Sequence, residues 1–498
     1  MVNSVTGEPI RRALVEVADH SMLTDDDGRF ELHKLAEMQT TVNVHKPGFF
    51  SEQDIEQDQA TPQQIVQIGP ETPPVVAKLI PEGIIFGKID SDGGPVEGIL
   101  VKAIAPRIID GRKRWEQRAT TTTDEDGMFR LANLPPGTYY VSTGPKWNPS
   151  AAALKAGKLQ GYPLVFYPNA AEMDGAALLQ VPAGQQVQAD FNTKPVSAVD
   201  VTGVVRGFSP AAGLSFQFAN NYGELMAFPS GYDGTGRFWM KVPLGEYRLL
   251  VRSRTAEGVN VGADVPLDVT GDLNALQIQL APNFEILVNV QKTAVAPPRA
   301  NTPQFHIGGP NSRRQDVIIR LMPEGPPGRA EPFANLEGAG KDARLVIRNA
   351  EPGKYSVVAL PIGNWYVASL QCGDIDLLRD RLVVTAGVRL PPIEVQLRDD
   401  AATVTATITT DGQAAKGWVL LIPSRAPAHA IAQYVAADQA TISNLAPGEY
   451  SALAVDRING LEYSNLDALS EYMGKATHVI LAPEQELNVN LEVIHVPR

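Results

Sequence analysis

The residues best placed to do chemistry are carboxylates packed against a glycine, Asp25-Asp26-Asp27-Gly28 and Asp124-Glu125-Asp126-Gly127. Alternating carboxylates can hold calcium, provided a first aspartate and a closing bidentate glutamate complete the shell. With the glycine at the turn position of such a loop, the first ligand place falls on Leu23 and Thr122, and the last on Lys34 and Asn133. Asp25, Asp27, Asp124 and Asp126 are thus calcium candidates set against a plainer reading, the solvated tip of a hairpin. Zinc hydrolysis needs His-x-x-Glu and a distant His. The residues three after the seven histidines are Leu23, Ala36, Gly48, Gly309, Ala432, Leu481 and Arg498, and none is Glu. Gly207-Phe208-Ser209-Pro210-Ala211 lacks the second glycine of a nucleophile elbow. No catalytic residue and no cofactor is expected.

Sugar binding calls for exposed aromatic faces, and the chain has five tryptophans. Trp147, beside Pro145, Asn148 and Pro149, with Trp115 and Trp365, are the ligand-binding candidates. Trp239 and Trp418 lie in strand patterns and are expected in the core.

These residues hang on a unit that recurs. In Thr123-Asp124-Glu125-Asp126-Gly127-Met128-Phe129-Arg130-Leu131, the Asp-Gly pair marks a tight turn and Phe129 and Leu131 alternate as in a half-buried strand. Leu134-Pro135-Pro136-Gly137-Thr138-Tyr139 then reverses the chain into the next strand. Glu351-Pro352-Gly353-Lys354-Tyr355 and Ala446-Pro447-Gly448-Glu449-Tyr450 repeat that corner, and Pro243-Leu244-Gly245-Glu246-Tyr247 is a looser copy. Gly28, Gly127, Gly137, Gly353 and Gly448 are read as turn residues. Tyr139, Tyr247, Tyr355 and Tyr450 are read as tyrosine corners, with buried rings and hydroxyls bonded to backbone. The glycine spacings are 245−137 = 108, 353−245 = 108 and 448−353 = 95, which is domain length rather than solenoid length.

Composition sets the remaining bounds. The 498 residues are 44% hydrophobic, so the chain is globular. A net charge of −13 disfavours nucleic acid and anionic membranes, and no apolar run is long enough to span a bilayer. With Cys372 alone, intramolecular disulfides and thiolate zinc sites are excluded. Strand patterns with turn signals at short intervals predict an all-β chain, with short helices at 151–155 and 466–472 and a long loop, dense in Pro, Gly and Arg, over 296–333. The expected architecture is a tandem array of about five immunoglobulin-like antiparallel β-sandwiches, at 1–82, 83–197, 198–283, 284–398 and 399–498.

The second segment resembles the carboxypeptidase regulatory-like domain, a transthyretin-like, carbohydrate-binding-like β-sandwich. The likeness rests on Gly87, Pro95-Val96, Thr123-Asp124, Asp126-Gly127, Phe129, Leu134 to Gly137, and Tyr139. The first and fifth segments match in part, the fourth through Pro352 to Tyr355, and the third least. The whole chain is similar to large bacterial tandem-repeat proteins of acidobacterial type. The resemblance implies a fold rather than a chemistry. It gives the expectation of a non-catalytic, extracytoplasmic binding or spacer protein of the cell envelope whose partner is a glycan or another envelope protein. The alternative is an accessory subunit of an exported hydrolase or outer-membrane transporter. Aligning Pro9-Ile10 on Pro95-Val96 sets Met1 on Gly87, so the first strand reads as truncated. Upstream sequence is expected to supply that strand and an export signal; with Met1 as the true start, a cytoplasmic location is expected instead.

Overall fold

Strands take up 59% of the described residues and helices 4%, so the layers that bury the apolar side chains are sheets. The computed structural model describes all residues except 34, 36, 56–64, 70–73, 148–158, 221–224, 283, 296–315, 325–330, 339–342, 386–387, 437–438 and 498. The expected short helix over 151–155 lies outside the described residues. The expected one over 466–472 is present as Leu466–Met473, capped by the Asn465 side chain accepting from the Asp467 amide.

The second segment shows the plan. One sheet holds Gly83–Ser91 between Met128–Leu134 and Gln186–Gln188; the other runs Arg112–Thr122, Leu100–Ile109, Gly137–Thr143 and Leu179–Val181. Inward residues of both sheets, including Ile85, Ile89, Val101, Leu131 and Val141, form one core. The alternation of Phe129 and Leu131 inward with Met128 and Arg130 outward is the period-two pattern seen in the sequence.

Most pairings are antiparallel, and one parallel pairing recurs in every segment. The opening strand pairs in parallel with a late strand of the same segment: Val2–Asn3 with Lys78–Pro81, Gly83–Ser91 with Gln186–Gln188, Val196–Arg206 with Leu273–Gln279, Phe284–Thr293 with Ile393–Arg398, and Ala402–Thr410 with Glu486–Ile494. Parallel partners run the same way, so the chain enters each segment at one end of this pair and leaves at the other.

The fold is therefore a tandem of β-sandwiches with mixed, mainly antiparallel sheets. By compactness it forms two units, Met1–Ile109 with Lys113–Ala198, and Asp110–Arg112 with Val199–Arg498. Two sequence expectations are revised. Val317–Pro323 lies in a stretch rich in Pro, Gly and Arg that reads as loop, yet it is a strand whose Val317, Ile319 and Leu321 are fully buried. Met1 takes the place of Ile89, not Gly87: its ammonium donates to the Gly28 carbonyl and its carbonyl accepts from Ile10, as Ile89 does with Gly127 and Val96. The turn that follows is two residues longer in the first segment (10−1 = 9 against 96−89 = 7).

Candidate functional sites

The Asp-rich turns are built from the backbone outward. Asp124 Oδ1 accepts the amides of Asp126 at 3.0 Å and Met128 at 2.8 Å. Asp25 Oδ1 does the same for Asp27 at 3.0 Å and Arg29 at 2.7 Å. Asp233, in the loosest copy, accepts from Thr235 at 2.8 Å and Arg237 at 3.1 Å. These are Asx turns, in which the first carboxylate replaces a missing backbone acceptor. The carboxylate a cation would need is already engaged with amides, and Asp27 and Asp126 contribute their amides to the turn. Among the described residues no group of three or more His, Cys, Asp or Glu side chains is placed to hold a metal.

Glycine closes the same turn. Gly28 and Gly127 have φ of +70° and +73°, and a Cβ at either would fall 2.5 or 2.6 Å from the carbonyl of Met1 or Ile89. A side chain is excluded there both by backbone conformation and by space.

Sequence reasoning gives no structural role to the threonine before Asp25 or before Asp124. Thr123 is buried; its hydroxyl donates to the Val96 carbonyl at 2.6 Å and accepts from the Ile99 amide at 2.9 Å. Thr24 repeats this with Ile10 at 2.7 Å and Ala13 at 3.0 Å. In both segments the hydroxyl clasps the end of the opening hairpin to the start of the next strand. The signal was present as a Thr-Asp-x-Asp-Gly motif standing a fixed distance after a Pro-Val or Pro-Ile pair.

Three of the four tyrosines form the expected corner. The Tyr139 hydroxyl donates to the Pro135 carbonyl, Tyr355 to Glu351 at 2.7 Å, and Tyr450 to Ala446 at 2.7 Å, all with rings buried. Burial pushes the Tyr139 and Tyr450 hydroxyls up to about 12. Tyr247 departs from the pattern. It is half-buried, packs edge-on against Phe218 and Phe228, and reaches only the Leu244 carbonyl, at 3.5 Å.

That difference has a local cause. In the three regular copies a bulge precedes the corner, with Asn133, Asn349 and Asn444 in the left-handed region at φ of 58°, 60° and 60°. Asn is among the few non-glycine residues that enter this region readily. The third segment has Lys241 at the matching place, without a left-handed φ, and its ammonium is buried against Asp200 at 2.8 Å.

The tryptophans divide differently from expectation. Trp418 is in the core, as its strand pattern indicates. Trp239 is not: it is 43% exposed and its indole lies over Gly231 on the neighbouring strand, where a Cβ would meet ring atoms at 2.7–2.9 Å. Its strand alternates, with Phe238 and Met240 inward, so Trp239 falls on the outer face. Trp147 is half-buried over Gly161 in the same kind of cross-strand pair. Trp115 is covered by Tyr140, 4.9 Å away, and by the Lys113 ammonium. Trp365 packs at the edge of the core, with the Lys292 ammonium 5.5 Å from its ring. Trp115 and Trp147 belong to the first compact unit and Trp365 to the second.

No protein-family model matches the chain, and no curated protein does. Solved structures with weak overall likeness include the Bacillus anthracis TIE protein, 10% identical over 82% of this chain and 74% of that one, with a TM-score of 0.16. A minor pilin of Streptococcus agalactiae is 12% identical over 38% and 85%, with a TM-score of 0.20. The major pilin subunit of Bacillus cereus is 12% identical over 82% and 99%, with a TM-score of 0.14. At these scores the likeness carries no argument about function.

Proposed function

We propose that this chain is a non-catalytic binding and spacer protein of the cell envelope, built from five sandwiches at the boundaries given above, the second of carboxypeptidase regulatory-like type. The observation that carries this reading is the use of the motif side chains. The threonine, aspartate, asparagine and tyrosine that recur are each engaged in holding turns, bulges and corners. What remains outward is sheet surface. Opposite-end entry and exit in every segment suits a chain that spaces as well as binds. The extracytoplasmic location belongs to the same proposal, and its check is labelling of intact source cells with a membrane-impermeant amine reagent.

Within this reading the ligand is a glycan, and Trp239 is its stacking face. An indole held flat over a glycine leaves its second π-face to solvent, the geometry that receives the apolar side of a sugar ring. A glycan array probed with the full chain tests it, alongside Trp239→Ala. Binding that falls at least tenfold in the variant is expected; undiminished binding, or capture of one envelope protein with no glycan signal, would favour the accessory-subunit alternative.

A further inference from the structure

The bulge asparagines do more than relieve their own strands. Asn444 Nδ2 donates to the Gly363 carbonyl at 3.0 Å, and Asn349 Oδ1 accepts from Asn260 Nδ2 at 3.4 Å. In both cases the partner belongs to the segment before. Asn133 does the equivalent through its main chain, its amide donating to Glu82 Oε2 at 2.6 Å. Glu82 stands at the head of that segment's opening strand and its own amide donates to Gly48 in the first segment. The contact therefore occurs where the second, fourth and fifth segments meet the one before, each time from the left-handed residue.

Neighbouring groups strengthen two of these joints. Glu351 accepts the Tyr355 hydroxyl on its carbonyl while its carboxylate pairs with Arg252 of the preceding segment. One residue thus ties a tyrosine corner to a joint. Between the fourth and fifth segments, Asp400 is 2% exposed and sits in the short connection from Ile393–Arg398 to Ala402–Thr410. Its carboxylate accepts from the Tyr366 hydroxyl at 3.0 Å and from Arg398 Nε at 2.9 Å. Its carbonyl accepts from the Glu484 amide of the fifth segment at 3.1 Å. Arg425 of the fifth segment also reaches Asp376 of the fourth at 3.5 Å, and Arg379 donates to the Arg425 carbonyl at 3.1 Å.

Relative motion is the default for domains joined by small interfaces. A buried residue held by the fourth segment through its carboxylate and by the fifth through its carbonyl opposes it, because rotation would break hydrogen bonds in a place water does not reach. We propose that the asparagine corner is a coupling element and that Asp400 is a latch, so that the fourth and fifth sandwiches move as one body.

The test uses the full chain with spin labels at Asp374→Cys and Lys475→Cys, both exposed positions, one on each segment; Cys372 is buried and stays in place. Pulsed electron-resonance distances are compared for this protein, for Asp400→Asn with Asn444→Ala, and for Asn444→Ala with Arg425→Ala. The second pair of changes removes exposed groups and spares the buried carboxylate, so it reports even where the first impairs folding. A narrow distribution in the parent that widens at least twofold in folded variants is expected. A broad parent distribution, or unchanged width in folded variants, overturns the proposal.

Discussion

At the residue scale, the recurring polar side chains behave as small clasps, and their energetics follow from burial. Replacing Thr123 by Val keeps the volume but leaves the Val96 carbonyl and the Ile99 amide without their partner. The expected loss is about 2 kcal/mol, read as a lower denaturant midpoint; an unchanged midpoint would contradict the clasp. The tyrosines make a paired test. Tyr139→Phe should cost about 1 kcal/mol, whereas Tyr247→Phe, half-buried with a long bond, should cost nearly nothing. Equal effects in thermal unfolding would contradict the structural difference. Asp233 adds a pH test. Donation from the Thr235 hydroxyl, with the amides of Thr235 and Arg237, holds its carboxyl below the ordinary range. A carboxylate depressed in the folded state stabilises above its unfolded pKa, and that contribution is lost as pH falls through the lower folded value. Acid titration of Asp233→Asn against the parent should therefore show a difference above about pH 4 that disappears below it. A difference that grows in acid would reverse the sign and refute the assignment.

At the element scale, the hairpins and corners were legible because their residues are forced by backbone geometry. Asp-Gly needs a positive φ and Pro-Pro-Gly ends a strand wherever it falls. Alternation of Phe129 and Leu131 placed the core face correctly for the same reason. What escaped was decided between strands. Trp239 carries the apolar signature of a core residue, but alternation turns Phe238 and Met240 inward and sets it outward opposite Gly231, and in an unbroken run of three apolar residues hydrophobicity does not say which set faces the core. Val317–Pro323 was hidden by the proline- and glycine-rich residues around it. The parallel closing pair is non-local, joining strands such as Phe284–Thr293 and Ile393–Arg398 that stand far apart in sequence. The bulge gives this scale its own prediction. Asn133→Val forces a β-branched side chain into the left-handed region and should cost about 1–3 kcal/mol in chemical denaturation, while Asn133→Gly should be close to neutral. Equal tolerance of Val and Gly would mean the bulge is not held in that conformation.

At the scale of the whole molecule, the asparagine that shapes the regular corner also meets the preceding sandwich in the second, fourth and fifth segments, so one motif both shapes a sandwich and joins it. The candidate site was only partly legible here. The Asp-rich turns read as calcium candidates or as solvated hairpin tips, and the structure places their leading carboxylates on backbone amides. The tryptophans suggested a sugar surface, and the exposed member is Trp239, one of the two assigned to the core. The most direct check of the central claim is a turnover screen of the purified full-length chain. Peptide, ester and glycoside substrates would be offered with added zinc or calcium, and again with a chelator. The expected result is no turnover above the buffer rate under any condition. Activity that appears with a metal and vanishes on chelation or in Asp124→Ala would contradict the account.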